Sequence, residues 1–437
     1  MHHSQQLHSL TIHSIHLRDN VFYWNTKSSN AGDKDYRAFL EVLSQQTNLE
    51  TFALLDVEES FDLDPLVEVL VNLPKLRNLT LQSYSRYNQR LSETSLASLL
   101  TVTSLQSLSL HRLRLVTILP ETLLSLEHNT TLRKLSLSQN GMNFECGMVM
   151  AHVLSFNRVL QEVNLSFNEI PDTCGTALGS ALVDNDALQI LNLTANELEL
   201  YTSRRFAHLL ASNHAQCALE RLILSQNALK DEGVSMLAAG LGQNNSLQSL
   251  ALAQVGITEA SCRVVAAALY TNTTLRRLNL ADNRIAKDGC DALAEALQSD
   301  HNTTLKEINL NGNQLKDVAV AKLVQTMRGN HVLERVNLRN NPDLTQTTYQ
   351  ALEKVLVHNL SLLHLWLPPT LDMVIPNSCI QSYIQLNRLG RQQLLNQMDC
   401  AQLWVQALRK STFDLHCLYW LTRTNPCVVA WLQQPAL

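Results

Sequence analysis

The 437-residue chain is 45% hydrophobic and 5% aromatic, with a formal net charge of −5 and a sequence isoelectric point near 6.3. That balance supports a folded core and gives no general electrostatic pull toward nucleic acid or anionic lipid, so neither is expected as a partner. The start, MHHSQQLHSL, lacks a basic segment leading into an apolar run, and no stretch of ~18 apolar residues occurs, so a monomeric cytoplasmic protein is expected.

The first element is a degenerate strand, with Leu7, Leu10 and Ile12 in LHSLTI followed by Ile15 and Leu17. The polar run NTKSSNAGDKD from Asn25 predicts a loop insertion and Tyr36 to Gln46 a helix. Residues 1–48 are thus expected to form an N-terminal capping repeat.

From Leu49 a pattern restarts at Leu76, Leu105, Leu132, Leu160, Leu188, Leu219, Leu247, Leu275, Leu305, Leu333 and Leu362. These twelve units, about 28 residues each, fill residues 49–371. Leu275 to Ile285, LRRLNLADNRI, shows the pattern clearly: leucines at Leu275, Leu278 and Leu280, then Asn283 and Ile285. Leu278 and Leu280 alternate with Asn279, the period of a short strand with one buried face. Cys290, Leu293, Ala294 and Leu297 then fall at i, i+3, i+4 and i+7, the stripe of an amphipathic helix. Gly175 and Gly179 recur in an equivalent stripe and predict close approach of helix and sheet.

Each unit is therefore one strand and one helix. Parallel strands sit ~4.8 Å apart and packed helices ~8–10 Å apart, so stacking bends the array with the sheet on the inside. The expected fold is an α/β solenoid, a right-handed βα horseshoe with a concave parallel sheet and convex helices.

An asparagine where the chain leaves the strand can satisfy backbone groups of the turn. Asn140, Asn168, Asn196, Asn227, Asn283, Asn313 and Asn341 form such a ladder, interrupted at Val255 and missing at Val57, Tyr84 and Leu113. Less regular early turns follow. Cys146, Cys174, Cys262 and Cys290 occupy equivalent helix positions and read as buried thiols, since neighbouring helix axes exceed comfortable disulfide reach. Asn129, Asn272, Asn302 and Asn359 belong to Asn-x-Ser/Thr triplets that read as by-products of the repeat.

The last strand, LLHLWL, ends at Pro368 and Pro369. Beyond it Ser382 to Arg391, Leu394 to Leu408 and Leu415 to Trp431 predict short helices containing Trp404, Trp420 and Trp431. Residues 372–437 are expected to form a helical C-terminal cap over the open sheet edge, with partner recruitment as the alternative.

The period, the LxxLxLxxN core and the alanine- and leucine-rich helices resemble the ribonuclease-inhibitor-like class of leucine-rich repeats. That class also supplies the sensor arms of NOD-like receptors and the body of the Ran GTPase-activating protein. In the tail, YIQLNRLGR with a later LYWLTRTNP is similar to tails of uncharacterised algal leucine-rich-repeat proteins. What the resemblance implies is a non-enzymatic protein-binding scaffold or sensor arm. The alternatives are a regulator of an enzyme, either a GTPase activator or a ribonuclease-type inhibitor, and a substrate-recognition subunit docking through its terminal helices.

No phosphate loop, nucleophile elbow, HExxH pair or dinucleotide fingerprint occurs, so neither catalysis nor a cofactor is expected. His2, His3, His8, His13 and His16 crowd the start but read as solvated or packed side chains, with no metal. A solenoid binds on its sheet face, and there the candidate protein-binding residues are Arg221, Arg277, Asn279, Glu307, Asn309, Arg335, Asn337, Arg339 and Trp366. Trp366 stands where other units carry asparagine, serine or alanine, as an aromatic anchor would.

Overall fold

The switch from a period of two to a period near four within each repeat places one short strand and one helix per unit, and the computed structural model has that order. It describes residues 7–12, 31–57, 62–83, 91–115, 119–212, 217–298, 301–368 and 379–388. His2, His3, His13 and His16, the proposed loop before Ala31, Tyr84 and the helices expected beyond Arg388 lie outside these residues.

The chain divides into two units, Met1–Leu229 and Lys230–Leu437. The first holds β1 (Ser9–Ile12), α1 (Ala31–Ser44), β2 (Thr51–Val57), α2 (Asp64–Val71), β3 (Asn78–Ser83), α3 (Glu93–Thr101), β4 (Ser107–His111) and α4 (Leu119–Leu123). A 3-10 turn, Leu124–His128, then leads to β5 (Lys134–Ser136), α5 (Phe144–Phe156), β6 (Glu162–Asn164), α6 (Asp172–Ala181), β7 (Ile190–Asn192), α7 (Leu200–Ala211) and β8 (Arg221–Ile223). The second holds α8 (Lys230–Leu241), β9 (Ser249–Ala251), α9 (Glu259–Thr271), β10 (Arg277–Asn279), α10 (Lys287–Ala296), β11 (Glu307–Asn309) and α11 (Asp317–Met327). It continues through β12 (Arg335–Asn337), α12 (Gln346–Leu356), β13 (His364–Trp366) and α13 (Cys379–Arg388).

Within each unit every strand pairs in parallel with the strand of the next repeat. This is the α/β leucine-rich-repeat solenoid that the repeat implies. α1 begins at Ala31, earlier than the expected Tyr36, so part of the polar run is helical. The core lies between strands and helices: Leu278, Leu280, Leu293 and Leu297 are all at most 1% exposed. Cys146, Cys174, Cys262 and Cys290 are buried thiols.

One expectation needs correcting. A Cβ on Gly175 would stand 2.1 Å from Thr202 Oγ1, and one on Gly147 2.8 Å from Cys174 Cβ. The small residues therefore let neighbouring helices approach each other, where helix-to-sheet contact was expected.

The asparagine ladder is physical. Asn283 Oδ1 accepts from the backbone N–H of Val255, Gly256 and Ile257, while its Nδ2 donates to the carbonyls of Leu252, Leu280 and Ala281. Three N–H groups converge there because Val255 interrupts the ladder, and Gly256 turns at φ +86 to bring its own N–H round. Asn341 shows the usual arrangement, accepting from Asn313 and Leu315. Leu113, where the asparagine is missing, donates its N–H to Asn140 Oδ1 and is flanked by Arg112 and Arg114, both at positive φ. That turn is irregular as expected.

A second ladder flanks the other end of the strands, and in it Asn272, Asn302 and Asn359 are asparagines that the sequence presents as glycosylation-like by-products. Asn272 Oδ1 accepts from Thr274 and Leu275 N–H, and its Nδ2 donates to the carbonyls of Leu241 and Asn244. Asn157, Asn185, Asn302, Asn330 and Asn359 repeat this. In α13, Asn387 donates to the carbonyls of Asn359 and Leu362, which seats that helix in register with the helices before it.

Acidic residues at helix starts add a third repeat-to-repeat link. Asp172 accepts from the N–H groups of Glu199, Tyr201 and Thr202, and Asp231 and Asp317 cap α9 and α12 in the same way. Burial pushes these carboxyls up, but the hydrogen bonds outweigh it and hold each below the usual carboxylate range.

Two outcomes are expected. Asn283→Ala, which removes the side-chain partner of the Val255 and Ile257 N–H groups and of the Leu252 carbonyl, lowers the unfolding free energy by at least ~3 kcal/mol in urea titrations. A depressed pKa stabilises the fold above the ordinary aspartate value of about 3.9, and that stabilisation is lost as pH falls through the folded value. Asp231→Asn is therefore less stable than the parent at neutral pH, and the gap closes in acid denaturation curves as pH falls below the ordinary aspartate value.

Candidate protein-binding face

A three-residue strand buries its middle side chain and presents its first and third on the opposite face of the sheet. In the second unit this alternation, set in register, makes two rows. Ser249, Arg277, Glu307, Arg335 and His364 face one another across β9 to β13, as do Ala251, Asn279, Asn309, Asn337 and Trp366. Between them Leu250, Leu278, Ile308, Val336 and Leu365 are buried.

Of the nine residues expected from the sequence, seven fall in these two rows. Arg339 lies in the turn after β12 and is exposed. Arg221 is half-buried on β8 of the first unit, beside Ile190 of β7.

The charged row is partly self-neutralising. Arg335 Nη1 stands 3.7 Å from Glu307 and 3.8 Å from Glu334, whose other oxygen takes Lys306 Nζ at 2.6 Å. Half-exposed pairs of this kind are each worth roughly 0–1 kcal/mol, so an incoming group can displace them at low cost. The asparagine row has a structural function too. Asn279, Asn309 and Asn337 each accept, through Oδ1, the N–H two residues on, at Ala281, Asn311 and Arg339. The turn thus uses one side of each amide, and Nδ2 is the group left to meet a ligand.

Trp366 ends the second row, half-buried, with its ring stacked on His364 at 5.4 Å and 16°. That pair is held by Arg388 of α13, whose Nη2 lies 2.7 Å from His364 Nδ1 while Nε donates to Leu363 O. Burial lowers the His364 pKa, the nearby Arg388 and Arg335 lower it further, and Glu307 and Glu334 pull the other way. The imidazole is therefore neutral at physiological pH, and its Nδ1 accepts from the guanidinium.

Arg388 was not among the sequence-derived residues. It belongs to YIQLNRLGR, and no repeat spacing links a helix residue to the ring it orients. The one available signal was Asn387, since Asn359 and Asn387 are 28 residues apart, the same spacing as the ladder.

The family described as Leucine Rich repeat matches residues 128–144, 156–179, 216–238, 271–294 and 301–324. These matches fall on the parallel βα units of both halves and support a leucine-rich-repeat protein. No curated protein matches the sequence. Among solved structures, "Leiomodin-1 Actin-Binding Site 2 (ABS2)" is similar at 17% sequence identity and a TM-score of 0.30, over 44% of this chain and 92% of that one.

Replacing Arg388 with Gln should raise the His364 pKa, read from its ring-proton NMR titration, by removing the cation that disfavours imidazolium.

Proposed function

We propose that the chain is a protein-binding scaffold or sensor arm whose partner lies on the sheet face of β10 to β13. The observation that carries this reading is the His364–Trp366 stack, oriented by Arg388 at the end of a mixed-charge row. An aromatic pair fixed in place presents contact area with little ordering cost, as binding hot spots do. Around it Arg277, Arg335 and Arg339 supply planar donors for carboxylates of the partner, while Glu307 and the asparagine amides set register.

The mixed charge of this row works against a tight inhibitor of a basic ribonuclease, which calls for an acidic surface. The thiols of Cys174, Cys217, Cys262 and Cys290 suit a reducing, cytoplasmic setting. Among the described residues no helix is long and apolar enough to cross a membrane.

A photo-crosslinking residue placed at Trp366, and another at exposed Val318 on α11 as control, tests the site. The expected outcome is one partner crosslinked at 366 in extracts of the native source. Trp366→Ala should weaken that partner's affinity at least ~30-fold, since a hot-spot truncation costs at least about 2 kcal/mol. An unchanged affinity in Trp366→Ala would remove this face from consideration.

A further inference from the structure

Phe144, Met148, His152 and Phe156 follow one another at intervals of four, so at 3.6 residues per turn they climb one side of α5. Phe144, Met148 and Phe156 are 54%, 40% and 57% exposed, while Cys146, Met150, Val153 and Leu154 on the opposite side are buried. Other described helices expose single large apolar residues, Val42 in α1, Tyr201 in α7, Tyr270 in α9 and Val318 in α11, among outward polar ones such as Lys287, Asp288 and Glu295 in α10, Arg263 in α9 and Thr173 and Ser180 in α6. α5 is apolar on the face that its neighbours keep wet.

The patch extends onto the 3-10 turn beside it. There Glu127 pairs with His152 at 3.4 Å, and Leu124, three residues earlier and 44% exposed, shares the Glu127 side because i and i+3 eclipse in that geometry. The His152 ring in turn leans on Phe156, with centroids 4.9 Å apart. A contiguous exposed aromatic and methionine surface marks an association site.

Charge says what covers it. Exposed Glu145 sits in the first turn of α5. At the other end the Arg158 guanidinium folds back onto Ser155 O at 3.1 Å, 3.6 Å from Asp186, and is also exposed. An apolar stripe with an anion at one end and a cation at the other complements its own copy when that copy runs antiparallel. About the middle of the helix Phe144 mirrors Phe156 and Met148 mirrors His152. One two-fold axis therefore sets aromatic on aromatic, sulfur on imidazole and Glu145 beside the other copy's Arg158. A parallel pair would oppose like charges.

We propose that the outward face of α5 is a self-association surface, packed antiparallel against α5 of a second copy of this chain in an isologous dimer. This departs from the monomer expected at the level of sequence, and it is independent of the sheet-face reading.

Sedimentation equilibrium of the full chain tests it. The expected result is a reversible monomer–dimer equilibrium. Met148→Glu, at an exposed position, should raise the dimer Kd by ~100-fold, because the methionine is lost from both copies, with no change in Tm. Glu145→Arg and Arg158→Glu should each weaken the dimer, and the chain carrying both should recover it. A partner of different chemistry on this face would give no such recovery. If the intact chain stays monomeric at roughly 100 μM, or if Met148→Glu dimerises as well as the parent, the proposal is wrong. If Arg158→Glu fails to fold, Glu145→Arg decides alone: a weaker dimer supports the interface and an unchanged one overturns it.

Discussion

Backbone polar groups in buried turns have to be satisfied, and this solenoid solves that problem with asparagine at both ends of β5, β6, β7, β10, β11 and β12. A three-residue strand gives few ladder hydrogen bonds of its own, so the turns decide whether it stays in place. At one end Asn283 and its equivalents collect N–H groups from the preceding repeat and return donors to its carbonyls. At the other, Asn272 and its equivalents collect N–H groups just ahead of the following strand and donate to carbonyls of the preceding repeat. Both sets bridge one repeat to the last, so each unit is held by polar contacts only its neighbours can provide. Stability is then a nearest-neighbour property, and leucine burial fills the space these bridges define.

The geometry of the turn imposes a further constraint. The residue before each ladder position has positive φ in Gln139, Phe167, Ala195, Gln226, Gln254, Asp282 and Asn340, and only Gly312 is a residue that adopts it without strain. At Gly312 a Cβ would collide with Asp282 Oδ1 at 2.0 Å, so the glycine answers crowding as well as strain. At Gln139, Phe167, Gln226 and Gln254 the turn holds a longer side chain in a conformation it disfavours, whereas Asp282 and Asn340 are types that tolerate it.

Features governed by period were legible in the sequence, and those governed by partners in the next repeat were not. Leu278, Asn283 and Cys290 recur at fixed offsets, which gave strand, turn and helix and the inward direction of each. The second ladder recurs too, but Asn-Thr-Thr-Leu has a ready alternative reading as a sequon, and period alone does not separate it from a structural amide. Asp231 looks like any acidic residue in a first helical turn; that it caps α9 depends on where a helix 27 residues on begins. On the sheet face, register follows from the repeat, so the rows through Arg277 and Asn279 could be written down in advance. The orientation of Trp366 could not, because Arg388 acts through His364 from outside the strand pattern.

This division bears on where specificity resides. Positions the repeat fixes cannot encode a partner, and the structure moves further positions into that group: the Oδ1 side of Asn279, Asn309 and Asn337 belongs to the turns, and Asp172, Asp231 and Asp317 belong to helix caps. What remains variable at low structural cost is the charged row with its terminal aromatic pair in the second unit and the outward helix faces. Among those faces α5 departs from its neighbours in the direction that costs most in water. An exposed phenylalanine contributes nothing to the core on its other side, so four aliphatic and aromatic side chains gathered at Leu124, Phe144, Met148 and Phe156 stabilise only a state in which that surface is covered.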